Sequence, residues 1–124
     1  MNHIKRIVNW NWQRYEQERN DELTYQLLEE ELIEYGDATT DVDCLDALVD
    51  VVYIAIGGMW KMGLSPEQIE AAIQIVCDSN DSKDVEKVLS HMKANINKGD
   101  NFIPPEAKLQ EILDGRQNAK TSSS

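Results

Sequence analysis

A chain of 124 residues with a formal net charge of −11 is long enough for one domain with a real core and too short for two. So acidic a chain repels polyphosphate backbones, which argues against DNA or RNA as a partner; a small phosphate ligand is still compatible if divalent metal bridges the like charges. No apolar run could span a bilayer, and the opening MNHIKRIVNWNW lacks a signal-peptide core, so a soluble, cytoplasmic protein without a membrane partner is expected.

The predicted elements are helices. Residues 3–18 carry Ile4, Ile7, Val8, Trp12 and Tyr15 at mostly three-four spacing. Asn20 or Asp21 is a suitable N-cap for a second helix through about Tyr35, ended by Gly36. After a short connection, Thr40 or Asp41 opens a long helix to about Met62. Val42, Leu45, Val49, Val52, Ile56 and Met59 or Trp60 form its apolar side, and Gly63 closes it. Ser65, Pro66 and Gln68 spell an N-cap, a first helical position and a capping-box partner, starting a helix to about Cys77. Residues 84–97 are weaker, either helix or an ordered excursion, and NFIPPE is extended before a short helix near 106–113. VVYIAIGG alone could pass for a strand, but it lies inside too long a helical pattern. The fold class is therefore all-α, a bundle of four to five helices in a single domain over 1–113, with 114–124 a disordered tail. Cys44 and Cys77 fall within helical patterns and are expected to be reduced core residues.

The stretch LLEEELIEY (27–35) sets acids among aliphatics. On a helical projection with Glu30 at zero, Glu34 falls at about 40°, Leu27 at about 60°, Glu31 at about 100° and Leu28 at about 160°. Glu31 and Glu34 thus lie inside the apolar arc, with Glu30 at its edge. Unpaired carboxylates there cost several kcal/mol and repel one another, so basic partners, protonation or a bound cation must compensate. The long helix repeats the oddity: Asp43, Asp46 and Asp50 share one narrow face. A short turn between the two helices makes them neighbours, and facing carboxylate clusters suit Mg²⁺ or Mn²⁺, with a site between two acidic helices.

Other metals do not fit. A carboxylate di-iron bundle needs Glu-x-x-His on two helices, yet the histidines are His3 and His91, and residue 88 is Val. Zinc wants a Cys/His cluster, and DVDCLDALVD lacks the glycine of a calcium loop. His91 reads most simply as a surface histidine and Trp60 as core. Trp10 and Trp12 could stack on a base, but packing is the stronger expectation.

The EExxE segment, the short loop and the acidic helix reading DALVDVVYIAIGG resemble the all-α NTP pyrophosphohydrolase superfamily, the MazG-like and phosphoribosyl-ATP pyrophosphohydrolase group. SNDSK (79–83) and KGDNFIPPE (98–106) are similar to downstream signatures of its small single-domain members, so the resemblance spans roughly 20–113. It implies that Glu31, Glu34 and Asp50 hold Mg²⁺, with Mn²⁺ as a substitute. Where the family's ExxD pattern has glutamate, this chain has Ala47, and Asp46, one turn before Asp50, is the natural replacement, with Asp43 an outer ligand. Glu30 is the candidate catalytic base. Asn80 and Lys83 match a polar pair that contacts the nucleotide in similar proteins, and Lys98 and Asn101 are weaker substrate-binding candidates.

By the same resemblance, the chain would cleave a (deoxy)nucleoside triphosphate between the α and β phosphates, giving a monophosphate and pyrophosphate, in nucleotide-pool house-cleaning. It would self-associate, as a homodimer or a dimer of dimers. The alternatives are a phosphoribosyl-ATP pyrophosphohydrolase and, from another class, a non-catalytic acidic helical binding module.

Overall fold

The computed structural model describes residues 2–86 and 95–116. Five helices and one short antiparallel ribbon make up the described fold, which is all-α in architecture. Two compact units divide it: residues 2–69 with Arg116, and Glu70–Gly115.

In the first unit, α1 (His3–Trp12) is capped by the Asn2 side chain, which accepts from Lys5 N at 2.8 Å. The helix predicted to reach residue 18 stops at Trp12. Arg14 N and Tyr15 N both turn back onto Asn11 O, at 3.0 and 2.8 Å, and Gln17 Nε2 donates to Trp60 O at 2.7 Å. The ladder ends with the bond from Tyr15 N, and the Gln17 bond ties the chain that follows to the end of the long helix. α2 (Asp21–Asp37) starts at Asn20, whose side chain accepts from Leu23 N; Gly36 lies inside its last turn rather than beyond it. α3 (Asp41–Lys61) starts at Thr40, which accepts from Asp43 N at 3.1 Å, and Gly63 with φ 97° turns the chain out, as its sequence position predicts.

α2 and α3, separated by residues 38–40, pack on each other as a helical hairpin, and α1 packs on α3. Small residues set the approach. A Cβ at Gly57 would lie 3.0 Å from Asn11 Oδ1, and one at Gly58 would lie 2.9 Å from Thr24 Cγ2. The core gathers Ile7, Val8, Ala47, Ile56, Trp60, Leu64 and Ile69, with Trp60 wholly buried. The apolar side expected of α3 is corrected here. Ile56 and Trp60 are buried as expected, but Val42, Leu45, Val49 and Val52, on the same face nearer the start of the helix, are exposed.

α4 (Pro66–Asp81) begins with the predicted capping box: Gln68 N donates to Ser65 Oγ at 3.1 Å, and Ser65 N to Gln68 Oε1 at 2.9 Å. It passes Cys77 and ends four residues later than predicted, at Asp81. The rest of the second unit holds β1 (Asp84–Glu86), β2 (Asn95–Asn97) and α5 (Glu106–Asp114). Asp84 pairs with Asn97 and Glu86 with Asn95, so the weak 84–97 stretch has strand at both ends. His91 and the tail from residue 117 lie outside the described residues. Cys44 and Cys77 are free thiols, but Cys77 is exposed and Cys44 half-buried, so neither is a core residue. Among the described residues no helix is long and apolar enough to cross a membrane.

Candidate active site

Glu31 stands at the centre of the acidic region. One of its carboxylate oxygens, Oε1, is cut off from solvent and has no hydrogen-bond partner. Its pKa is raised above the ordinary carboxylate value, first by burial and then by the negative charges of Glu34, Asp50, Asp46 and Glu30. Those neighbours join α2 to α3: Glu30 and Glu34 of α2 and Asp46 and Asp50 of α3 all act on Glu31. Asp43 is not among the charges that move Glu31. Glu30, Glu34 and Asp46 are exposed, whereas Asp50 is half-buried, so the cluster runs from the helix interface out to water. Ala47, at the position where the family's pattern has glutamate, is 2% exposed: a methyl packed in the core.

Among the described residues no three carboxylate, imidazole or thiol side chains are drawn together closely enough to hold a metal ion. The acids are neighbours, not a closed chelate. Their chemistry nevertheless fits a hard divalent cation, since all the donors are carboxylate oxygens and one is buried without a partner.

A cavity of about 360 Å³ opens beside these acids, with Glu31 and Asp50 in its lining. Its remaining wall is mostly aromatic and small. Trp10 meets Tyr53 edge-on at 5.8 Å and Tyr15 at 6.2 Å, while Gly57 and Gly58 expose the backbone of α3. Lys61, only 9% exposed, also lines the cavity and sets its Nζ 4.7 Å from the Tyr15 ring centroid. Trp12 is not part of this wall; it packs edge-on against Trp60 at 4.9 Å. The two tryptophans of NWNW thus part company, one to a cavity and one to packing.

The predicted polar residues gather in the second unit. Lys83 Nζ lies 3.0 Å from Asn80 Oδ1, and the Nζ atoms of Lys83 and Lys98 lie 5.9 and 5.1 Å from the Phe102 ring centroid. Ser82 Oγ holds this region together, donating to Ser79 O at 2.6 Å and accepting from Ile103 N at 2.7 Å. Asn101 is exposed.

Asn11, Thr24, Tyr53 and Lys61, which no sequence motif marks as site residues, line the cavity, as does Tyr15, expected only as part of an apolar helix face. Asn11 did carry a signal: it recurs three and four residues after Val8 and Ile7, a polar residue on an apolar face. Tyr53 and Lys61 carried none, because either fits an ordinary helix.

The sequence model of one family, described as phosphoribosyl-ATP pyrophosphohydrolase, matches residues 4–75, more than half of the chain. No curated protein and no solved structure matches the chain. The match covers α1, α2, α3 and much of α4, and so includes both acidic helices and every residue of the cavity.

Proposed function

Because the chain belongs to the phosphoribosyl-ATP pyrophosphohydrolase family, a family of hydrolases, we propose that it is a Mg²⁺-dependent pyrophosphohydrolase of nucleoside triphosphates. It would release a nucleoside monophosphate and pyrophosphate and so clear unwanted (deoxy)nucleotides. The observation that carries the reading is Glu31, a half-buried carboxylate with one oxygen cut off from solvent and partnerless, near four other acids and in the lining of an aromatic cavity. Such a grouping is unfavourable until a cation binds. Phosphoribosyl-ATP is the second reading, favoured by the description of the matching family.

In this proposal Glu31, Glu34, Asp46 and Asp50 hold the metal. A bound Mg²⁺ offsets the negative charge of the triphosphate and lets it approach an acidic surface. Glu30, exposed at the rim, accepts a proton from the attacking water. The cavity takes the nucleoside, and its aromatic wall excludes water from one side of it. Asn80, Lys83 and Lys98 are the proposed substrate contacts of the second unit, with the lysines suited to phosphate oxygens.

Self-association belongs to the same proposal. Val42, Leu45, Val49 and Val52 leave an apolar stripe of α3 in water, and α2 adds Leu32 and Ile33 as exposed aliphatics. A second copy of the chain is the proposed cover.

Pyrophosphate release is the test, measured with and without Mg²⁺ on ribo- and deoxynucleoside triphosphates and on phosphoribosyl-ATP. Turnover of phosphoribosyl-ATP alone would select the second reading. No turnover of any of them would leave an acidic binding module.

A further inference from the structure

Although the chain is acidic, the charged side chain that is buried among the described residues is a cation. Lys61, on the last turn of α3, is 9% exposed and lines the cavity together with Glu31 and Asp50. Its Nζ lies 4.7 Å from the ring centroid of Tyr15, another residue of the wall. Among the described residues no carboxylate pairs with it, the ion pairs being Lys5–Glu67 and Arg19–Asp21. Nor does it donate a hydrogen bond to any of them. Unlike Glu31 Oε1 and Trp60 Nε1, the ammonium is not sealed from solvent. It carries three N–H donors, and a ring face does not fill them. A largely buried charge with donors to spare is costly, so an acceptor brought by a ligand is stabilising there.

The place of this donor suits the far edge of a base. The cavity residues of α3 recur every three or four positions, from Asp50 through Tyr53 and Gly57 to Lys61, and so form one face. Lys61 lies about 16 Å beyond Asp50 along that face, at roughly 1.5 Å per residue. α2 runs the other way: its Thr24 meets Gly58, and Glu31 feels the charge of Asp50. The acids therefore belong to one end of the cavity and the ammonium to the other. With phosphates at the acidic end, a nucleoside lying along α3 passes Trp10 and Tyr53, whose rings supply stacking area, and points its base towards Lys61.

We infer that Lys61 is the base-reading residue and that its ammonium donates to a carbonyl oxygen of the base, O4 of uracil or thymine or O6 of guanine or hypoxanthine. This rests on the nucleotide reading of the site. Cytosine and adenine carry an amine at those positions, so donor would meet donor and the ammonium would stay unfilled. A second anionic group on the ligand would also fill it, but Glu31 and Asp50 already stand in the same wall and the chain carries a net −11. A carbonyl oxygen brings an acceptor without bringing charge. Tyr15 is the positioning residue, because its ring face holds the ammonium at the wall.

The experiment compares nucleotides that differ at that position, uridine against cytidine and inosine against adenosine. Binding of the monophosphates is read by calorimetry, and turnover of the triphosphates by pyrophosphate release with Mg²⁺. Wild type should favour the carbonyl member of each pair by roughly tenfold or more, the loss expected when a buried donor stays unfilled. Lys61→Met keeps an apolar stem and removes the donors, so the preference within each pair should vanish. Lys61→Arg, which keeps the charge and the N–H groups, should retain part of it. Tyr15→Leu frees the ammonium and should lower the preference, which keeps the test decisive if Lys61→Met does not fold. Carbonyl-dependent monophosphate binding with no hydrolysis would uphold the base pocket and sink the catalytic reading instead. Equal use of both members, a preference for the amine, or a preference that survives both Lys61→Met and Tyr15→Leu would overturn the inference. So would a loss in Lys61→Met that falls on phosphoribosyl-ATP alone, since the ammonium would then serve an anion.

Discussion

Glu31 is the residue on which the functional reading turns, and its ionisation gives a signed expectation. Its pKa is raised in the folded chain, by burial first and then by four like charges. The folded state therefore holds its proton more tightly than the unfolded state does. Without metal, the cost to stability is absent below the unfolded-state pKa. It grows as pH rises towards the raised folded value and is fully present above it. Glu31→Gln should accordingly be at least as stable as wild type in chelator, with an advantage that appears as pH climbs out of the carboxylate range. Urea midpoints across pH would check this. A clear loss of stability on substitution would make Glu31 a structural partner instead. Asp46 and Asp43 make a second comparison. Asp46 is one of the charges that move Glu31, whereas Asp43 is not, and Ala47 offers no carboxylate. Asp46→Asn is expected to slow turnover at least tenfold, about 1.4 kcal/mol in the barrier, and Asp43→Asn to cost less. Equal rates for Asp46→Asn and wild type would reduce Asp46 to a solvated helix charge.

At the scale of the elements, glycine contact decides how α2 and α3 meet. A Cβ at Gly58 would stand 2.9 Å from Thr24 Cγ2, too close for either helix to ignore. Gly58→Ala should cost about 1–3 kcal/mol, the usual range for overpacking. Thr24→Ser removes the opposing methyl group, so the double variant should regain part of that loss. Additive losses in denaturant titration would show that the two residues do not share the contact. Much of this architecture was legible beforehand. Thr40, Ser65–Pro66–Gln68 and Gly63 each carry local chemistry that dictates a cap or a stop whatever the tertiary setting. The acidic arc of α2 was also visible, since projection alone puts Glu31 with Leu27. What stayed hidden depends on contacts between elements. The early end of α1 is set by Gln17 reaching Trp60, distant in sequence. The cavity wall is built from Asn11, Thr24 and Tyr53, each on a different helix. Burial divides the aliphatic stripe of α3 along its length, with Ile56 and Trp60 covered and Val42 to Val52 exposed, and periodicity shows a face but not which end of it is covered.

For the whole molecule, the misplaced stripe is itself informative. Val42 is 75% exposed, Leu45 64%, Val49 47% and Val52 51%, and they recur at the spacing of one helix face. Scattered exposed aliphatics need no explanation, but an ordered row of them on a helix of the main hairpin does. A second copy presenting the same row would cover both, which is the two-fold arrangement most homo-oligomers adopt. Charge opposes the pairing. Each copy brings a net −11, so repulsion between copies should weaken association at low ionic strength and be screened as salt rises. Wild type is expected to run as a dimer or larger in light scattering coupled to size exclusion at moderate salt, with a melting temperature that increases with protein concentration. Val49→Glu, or Leu45→Glu if the first fails to express, should give a folded monomer whose melting temperature no longer depends on concentration. A wild-type chain that stays monomeric at every salt and concentration would show that the stripe faces water in the working protein, and the cover proposed for it would have to be abandoned.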